Sequence, residues 1–160
     1  MKLLNFAGCM MSGFLLLGAM PAWATLGDNA ASVLRDQAHM KGALHSVDNR
    51  SYVLHEITLS TGAKVREYVS PAGAVFGVAW EGQFAPDFQQ LLGTYFPQAQ
   101  QAIAQQKSQE GGTQAVHRRA PVVLQTPGLV LVHGGHVRSF HGVAYIPQLI
   151  PSGVNAADIR

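Results

Sequence analysis

Residues 52–80 read YVLHEITLSTGAKVREYVSPAGAVFGVAW, and this stretch decides the fold. Three runs rich in valine and aromatics (52–59, 63–69 and 74–80) are separated by Ser60-Thr61-Gly62 and Pro71-Ala72-Gly73. β-Branched and aromatic side chains suit the pleated, half-buried surface of a strand. A three-residue loop ending in glycine closes a type I turn and sets the register of the strands it joins. In the first hairpin Leu59 then faces Ala63, Ile57 faces Val65, His55 faces Glu67 and Val53 faces Val69, while Glu56 meets Arg66 and Leu54 meets Tyr68 on the other side. A one-residue slip would set Glu56 against Glu67 and Ile57 against Arg66, which is worse on both counts. The same counting in the second hairpin sets Val69 against Val75, Glu67 against Gly77 and Val65 against Ala79. On the reverse side it sets Tyr68 by Phe76, Arg66 by Val78 and Lys64 by Trp80. One face (Val53, Ile57, Leu59, Val65, Val69, Val75, Ala79) reads as core, and the other as mixed aromatic and charged.

Working outward, Asp28 or Asn29 caps a helix over 30–40 with Gly42 as its stop. Val33, Leu34 and Ala38 make its apolar side, and Arg35, Asp36 and Gln37 turn outward. Pro86-Asp87 opens a second helix with Phe88, Leu91, Leu92 and Tyr95 at helical spacing; Pro97 ends or kinks it, and 98–106 resumes it. The polar, aperiodic stretch near 105–120 reads as an exposed loop. Strands return over 122–125, 129–133, 136–140 and 143–146, with Gly134-Gly135 as a two-residue hairpin turn, and 147–160 packs as irregular structure ending in a helical turn. The expected fold is a single α+β domain: an antiparallel β-meander with packed helices and additional C-terminal strands.

The N-terminus carries an address. Met1-Lys2 is followed by an almost wholly apolar run to Ala19, and Ala22-Trp23-Ala24 places small residues where signal peptidase reads, so cleavage is expected between Ala24 and Thr25. The apolar run is shorter than the roughly 20 residues that span a bilayer. Ala7-Gly8-Cys9 has no apolar core ahead of it, so it is not a lipidation signal. Residues 25–160 then form the working domain, with no transmembrane segment after cleavage and without Cys9, the single cysteine. That excludes disulfides, thiolate zinc and thiol nucleophiles. The domain is nearly neutral and has no clustered basic surface, which argues against nucleic acid as a partner.

The run Tyr68-Val69-Ser70-Pro71-Ala72-Gly73, continued by Val75-Phe76-Gly77-Val78-Ala79-Trp80, is followed by Leu91-Leu92-Gly93 and Tyr95-Phe96-Pro97. With Gly134-Gly135-His136, Arg138, Phe140 and Pro151-Ser152-Gly153-Val154, it resembles a family of exported proteobacterial proteins known only as a domain of unknown function. The resemblance implies a periplasmic or secreted protein of a Gram-negative bacterium, with no activity, cofactor or catalytic residue to carry over.

Three constellations invite chemistry. His55 opposite Glu67 is an imidazole–carboxylate pair of the kind that makes a general base. His133 and His136, across the expected Gly134-Gly135 turn, are placed to share a metal ion, although a zinc site wants three or four converging ligands. Tyr68, Phe76 and Trp80 form either a helix-covered face or an exposed binding patch. Nucleophile elbows, zinc-protease motifs and phosphate loops are missing, and no cofactor is called for. The leading expectation is a non-enzymatic accessory or binding module whose partner is another envelope or secreted protein. The alternatives are an extracytoplasmic enzyme using His55 and Glu67, or a periplasmic metal-binding protein using His133 and His136.

Overall fold

The structure, a computed structural model, describes residues 25–110 and 121–160; the expected signal segment 1–24 and residues 111–120 of the expected polar loop lie outside the described residues. Seven strands form one antiparallel sheet: β1 (Ala43–Asn49), β2 (Tyr52–Thr58), β3 (Lys64–Val69), β4 (Val75–Gly82), β5 (Val122–Gln125), β6 (Val130–His136) and β7 (Ser139–Tyr145). Their order is β1-β2-β3-β4-β7-β6-β5. The α+β meander is present, and the C-terminal strands extend the same sheet through pairing of β7 with β4.

The first hairpin has the expected register, with His55 opposite Glu67, Glu56 opposite Arg66 and Ile57 opposite Val65. Both turn glycines take the left-handed conformation the loops require, Gly62 at φ 80 and Gly73 at φ 82. The second hairpin departs from expectation. Val69 faces Val75, but Tyr68 then pairs with Gly77 and Val65 with Trp80, so Phe76 is the extra residue of a β-bulge. Because side chains alternate, one extra residue reverses every face beyond it. Val78 and Trp80 therefore join Ile57, Val65, Val69 and Val75, while Ala79 moves to the opposite side with Tyr68 and Phe76.

Strand β1 is an element that composition hid. It is a mostly exposed edge strand, so its alternation is blurred by His45, Ser46 and Asp48. At the other end of the sheet the β6–β7 turn is Val137-Arg138, with His136 opposite Ser139 and Arg138 at φ 69. Gly134 and Gly135 lie within β6 instead of forming the turn. Gly135 is needed for close approach, since a Cβ there would sit 2.1 Å from the Ser139 carbonyl oxygen.

Helices α1 (Ala31–Met40), α2 (Phe88–Leu92) and α3 (Phe96–Glu110) cover one face, contributing Val33, Leu91, Leu92 and Ala99 to the main core. Asp87 caps α2, its carboxylate accepting from Gln89 N at 2.9 Å and Gln90 N at 3.2 Å. A single 3-10 turn, Gly93–Tyr95, joins α2 to α3. Pro97 sits in the first turn of α3, where its missing N–H costs no helical bond, so it starts a helix and does not end one. α3 reaches Glu110, replacing the beginning of the loop expected near 105–120.

The opposite face is sealed by the tail. Ile159, with the partly buried Leu149, Ile150 and Val154, packs on Tyr68, Phe76 and Ala79. The Tyr68 hydroxyl donates to Arg160 O at 2.8 Å and accepts from Arg160 N at 3.0 Å, pinning the last turn. Among the described residues no helix is long and apolar enough to cross a membrane.

Gly142 shows how tightly β7 lies under the tryptophan: a Cβ there would stand 2.4 Å from Trp80 Cζ2 and 2.5 Å from Val132 O. Gly142→Ala is therefore expected to destabilise the domain by about 1–3 kcal/mol, read as a lowered urea midpoint.

Candidate functional site

Ser32, Val33 and Asp36 form the buried side of α1, at helical spacing. Asp36 was expected to point outward; it is 6% exposed, whereas Leu34 is 61% exposed and is the residue turned to solvent. From the sheet, Glu67 rises between Val65 and Val69 on the core face and is 0% exposed. α2 supplies Gln90, and residues 25–29 lie alongside. Leu26 N donates to Leu91 O at 3.1 Å, Gly27 N to Val75 O at 2.9 Å, and Val75 N to Asp28 O at 2.8 Å. This lacing brings Thr25 to Asp36.

The resulting cluster is polar, acidic and sealed. Thr25 Oγ1 donates to Asp36 Oδ2, and Gln90 Nε2 donates to Asp36 Oδ1 at 2.6 Å. Among the described residues no donor reaches either oxygen of Glu67, and Ser32 Oγ also lacks a partner. Burial pushes the Glu67 carboxyl up to about 9, helped by the charge of Asp36. At neutral pH Glu67 is therefore a neutral acid beside Asp36.

The expected His55–Glu67 partnership is present in register but not in chemistry. His55 Nδ1 bonds Ser46 Oγ at 2.7 Å, and burial lowers its pKa. His55 thus bonds Ser46 and not Glu67, whose carboxyl is sealed from solvent.

The three expected aromatics divide between two sides of the sheet, and all are buried: Tyr68 2%, Phe76 0% and Trp80 3% exposed. They make no open patch. Tyr52, Tyr68 and Phe76 meet in tilted and edge-to-face contacts under the tail, with ring centroids 5.6–6.1 Å apart. Trp80 lies 5.2 Å from Phe88 of α2 and 5.9 Å from His133, and His133 stacks at 10° on Phe140. Burial lowers the pKa of His133, and neither its Nδ1 nor Trp80 Nε1 has a partner. His136 is three residues along the same strand and points the other way, exposed, with Nδ1 3.1 Å from Val137 O. The two histidines do not converge, and no group of three potential metal ligands exists among the described residues.

One shallow groove of about 500 Å³ lies at the open end of β4 and β7, lined by Glu81, Gln83, Arg138, Ser139, Phe140 and His141 among others. Ser139 and His141 share a face of β7, and His141 is opposite Glu81. Glu81 is held by Arg66 at 2.8 Å, part of a surface network with Glu56 and Lys64.

A family model described as "Protein of unknown function (DUF2844)" matches residues 22–159. No curated protein and no solved structure matches the chain.

Proposed function

This chain belongs to the DUF2844 family, and from that premise we propose that it is an exported, non-enzymatic accessory module. On this reading it is released by cleavage after Ala24 and acts by contact with another protein in the Gram-negative envelope or medium. The observation that carries it is how the residues that follow the expected cleavage position are held. Thr25 is 0% exposed and Leu26 1% exposed, and both are tied by backbone hydrogen bonds to α2. The small-residue pattern of signal peptidase stands immediately ahead of them, so cleavage there spares every core residue among the described residues. Contact as the mode of action is supported by exposed valines at both ends of the sheet: Val47 (41%) on edge strand β1, Val123 (56%) on β5 and Val137 (75%) at the β6–β7 turn. The acids Asp36 and Glu67 and the rings of Tyr68, Phe76 and Trp80, by contrast, are buried.

The test is expression of the full chain with a C-terminal tag in a Gram-negative host. The expected product is a periplasmic or secreted species whose intact mass begins at Thr25. Full-length mass confined to the cytoplasm would overturn the reading. The released species should also crosslink to a stoichiometric partner, and Val47→Glu should weaken that crosslink without changing the melting temperature.

A further inference from the structure

We propose that cleavage at Ala24–Thr25 creates the missing ligand of the buried acid cluster: the new α-ammonium of Thr25 seats against Asp36 and Glu67 and locks residues 25–29 into the fold. The inference rests on the cleavage position proposed above. In the reaction, water adds across the Ala24–Thr25 peptide bond; Ala24 leaves with the carboxylate, and Thr25 N gains the protons that make it an ammonium.

The position is already prepared. Thr25 is fully buried, and its Oγ1 is bonded to Asp36, so its backbone nitrogen, two bonds from Cβ, lies at the rim of the same cluster. As a peptide nitrogen it has one hydrogen, spent on a long 3.4 Å contact to Gln90 O. As an ammonium it has three donors. One keeps Gln90 O, leaving two for carboxyl oxygens, while Glu67 has both oxygens without a donor.

Charge makes the same demand. A buried carboxylate is costly unless paired. Among the described residues no ion pair reaches Asp36 or Glu67: Arg35 pairs with Asp28, and Lys64 and Arg66 pair with Glu56 and Glu81. The other titratable neighbours also face elsewhere. Asp87 caps α2, and His55, across the strand from Glu67, bonds Ser46. One ammonium supplies the positive partner that these buried acids lack.

The experiment uses protein released from a cleavable fusion so that it begins at Thr25, whatever a cell does with the leader. It is compared with the same protein acetylated on its α-amine, and with one retaining Ala24, by urea unfolding at pH 6.5. The Thr25 protein is expected to have the highest midpoint, with the other two alike. The gap should close as pH rises past the amine's titration, and vanish in the Asp36→Asn, Glu67→Gln double variant. Equal midpoints, or a gap that survives in that variant, would overturn the inference. Should the variant not fold, labelling of the α-amine with acetic anhydride decides. Labelling roughly tenfold or more slower in the folded than in the urea-unfolded chain supports the buried amine, and equal rates overturn it. A different cleavage site found by intact mass would overturn the claim that export creates this terminus, while the designed Thr25 terminus tests separately whether the cluster binds it.

Discussion

Phe76→Ala is expected to cost about 3–5 kcal/mol, enough to unfold much of a domain of ordinary stability. Phe76 is 0% exposed and is the bulged residue of β4, so it is surrounded on the tail side by Tyr52, Tyr68 and Ile159. The cavity cannot be filled by neighbouring rings: Tyr68 is fixed through its hydroxyl to Arg160, and Gly77 has no side chain, with Ile159 already within 3.1 Å of where its Cβ would be. Loss of the ring should also loosen the tail, because it removes a principal apolar contact holding Ile159. Two readouts are expected: a lowered urea midpoint, and faster amide exchange at Ile159 and Arg160 than in β2. A variant with near-wild-type stability would mean that the tail can collapse into the site, and that the bulge does not organise this side of the sheet.

The bulge also marks the boundary of what residue patterns could disclose. The register of β2 on β3 was legible because two independent criteria agreed, the glycine-closed loop and the pairing of Glu56 with Arg66. Nothing in residues 74–80 demands an extra residue at Phe76, since all seven positions are apolar or glycine and either face accepts them. Trp80 was consequently assigned to the side of Tyr68 when it belongs under α2 beside Phe88 and His133. β1 escaped because an edge strand exposes most of its side chains and loses its alternation. The Gly134-Gly135 turn failed for another reason: glycine serves close approach as well as turning, and one of these glycines abuts the Ser139 backbone.

The candidate site was half legible. Alternation through Val65, Glu67 and Val69 placed a carboxyl on the core face and thereby required a partner for it. The cross-strand neighbour His55 was the only partner that local pairing could offer. Asp36 comes from a helix 31 positions earlier, and an acid in a helix is ordinarily solvated. Its clue was the spacing Ser32, Val33, Asp36, which puts it on the same side as the most buried valine of α1.

The second large effect follows from that misread acid. In the chain with a peptide bond ahead of Thr25, Glu67 is raised from an ordinary carboxyl value of 4.5 to about 9. Between those limits the unfolded chain releases a proton that the folded chain keeps. The contribution of Glu67 is therefore fully present below pH 4.5 and is lost progressively up to about 9. The slope is about 1.4 kcal/mol per pH unit, so by pH 7 the loss amounts to about 3 kcal/mol. Glu67→Gln keeps the shape but cannot ionise. It is expected to match wild type at pH 4 and to exceed it by about 2–3 kcal/mol at pH 7. His55 and His133 act in the opposite sense: both are lowered by burial, so their contribution is present above the ordinary imidazole value and is lost as pH falls. They are unchanged in the variant, and the difference between the two proteins at each pH isolates Glu67. Parallel urea midpoints from pH 4 to 9 would show that Glu67 ionises freely in the fold. An α-ammonium beside Asp36 weakens the repulsion that helps keep Glu67 protonated, so the chain beginning at Thr25 should show a shallower slope than the extended one. Cleavage would then relieve a strain that the precursor carries at neutral pH.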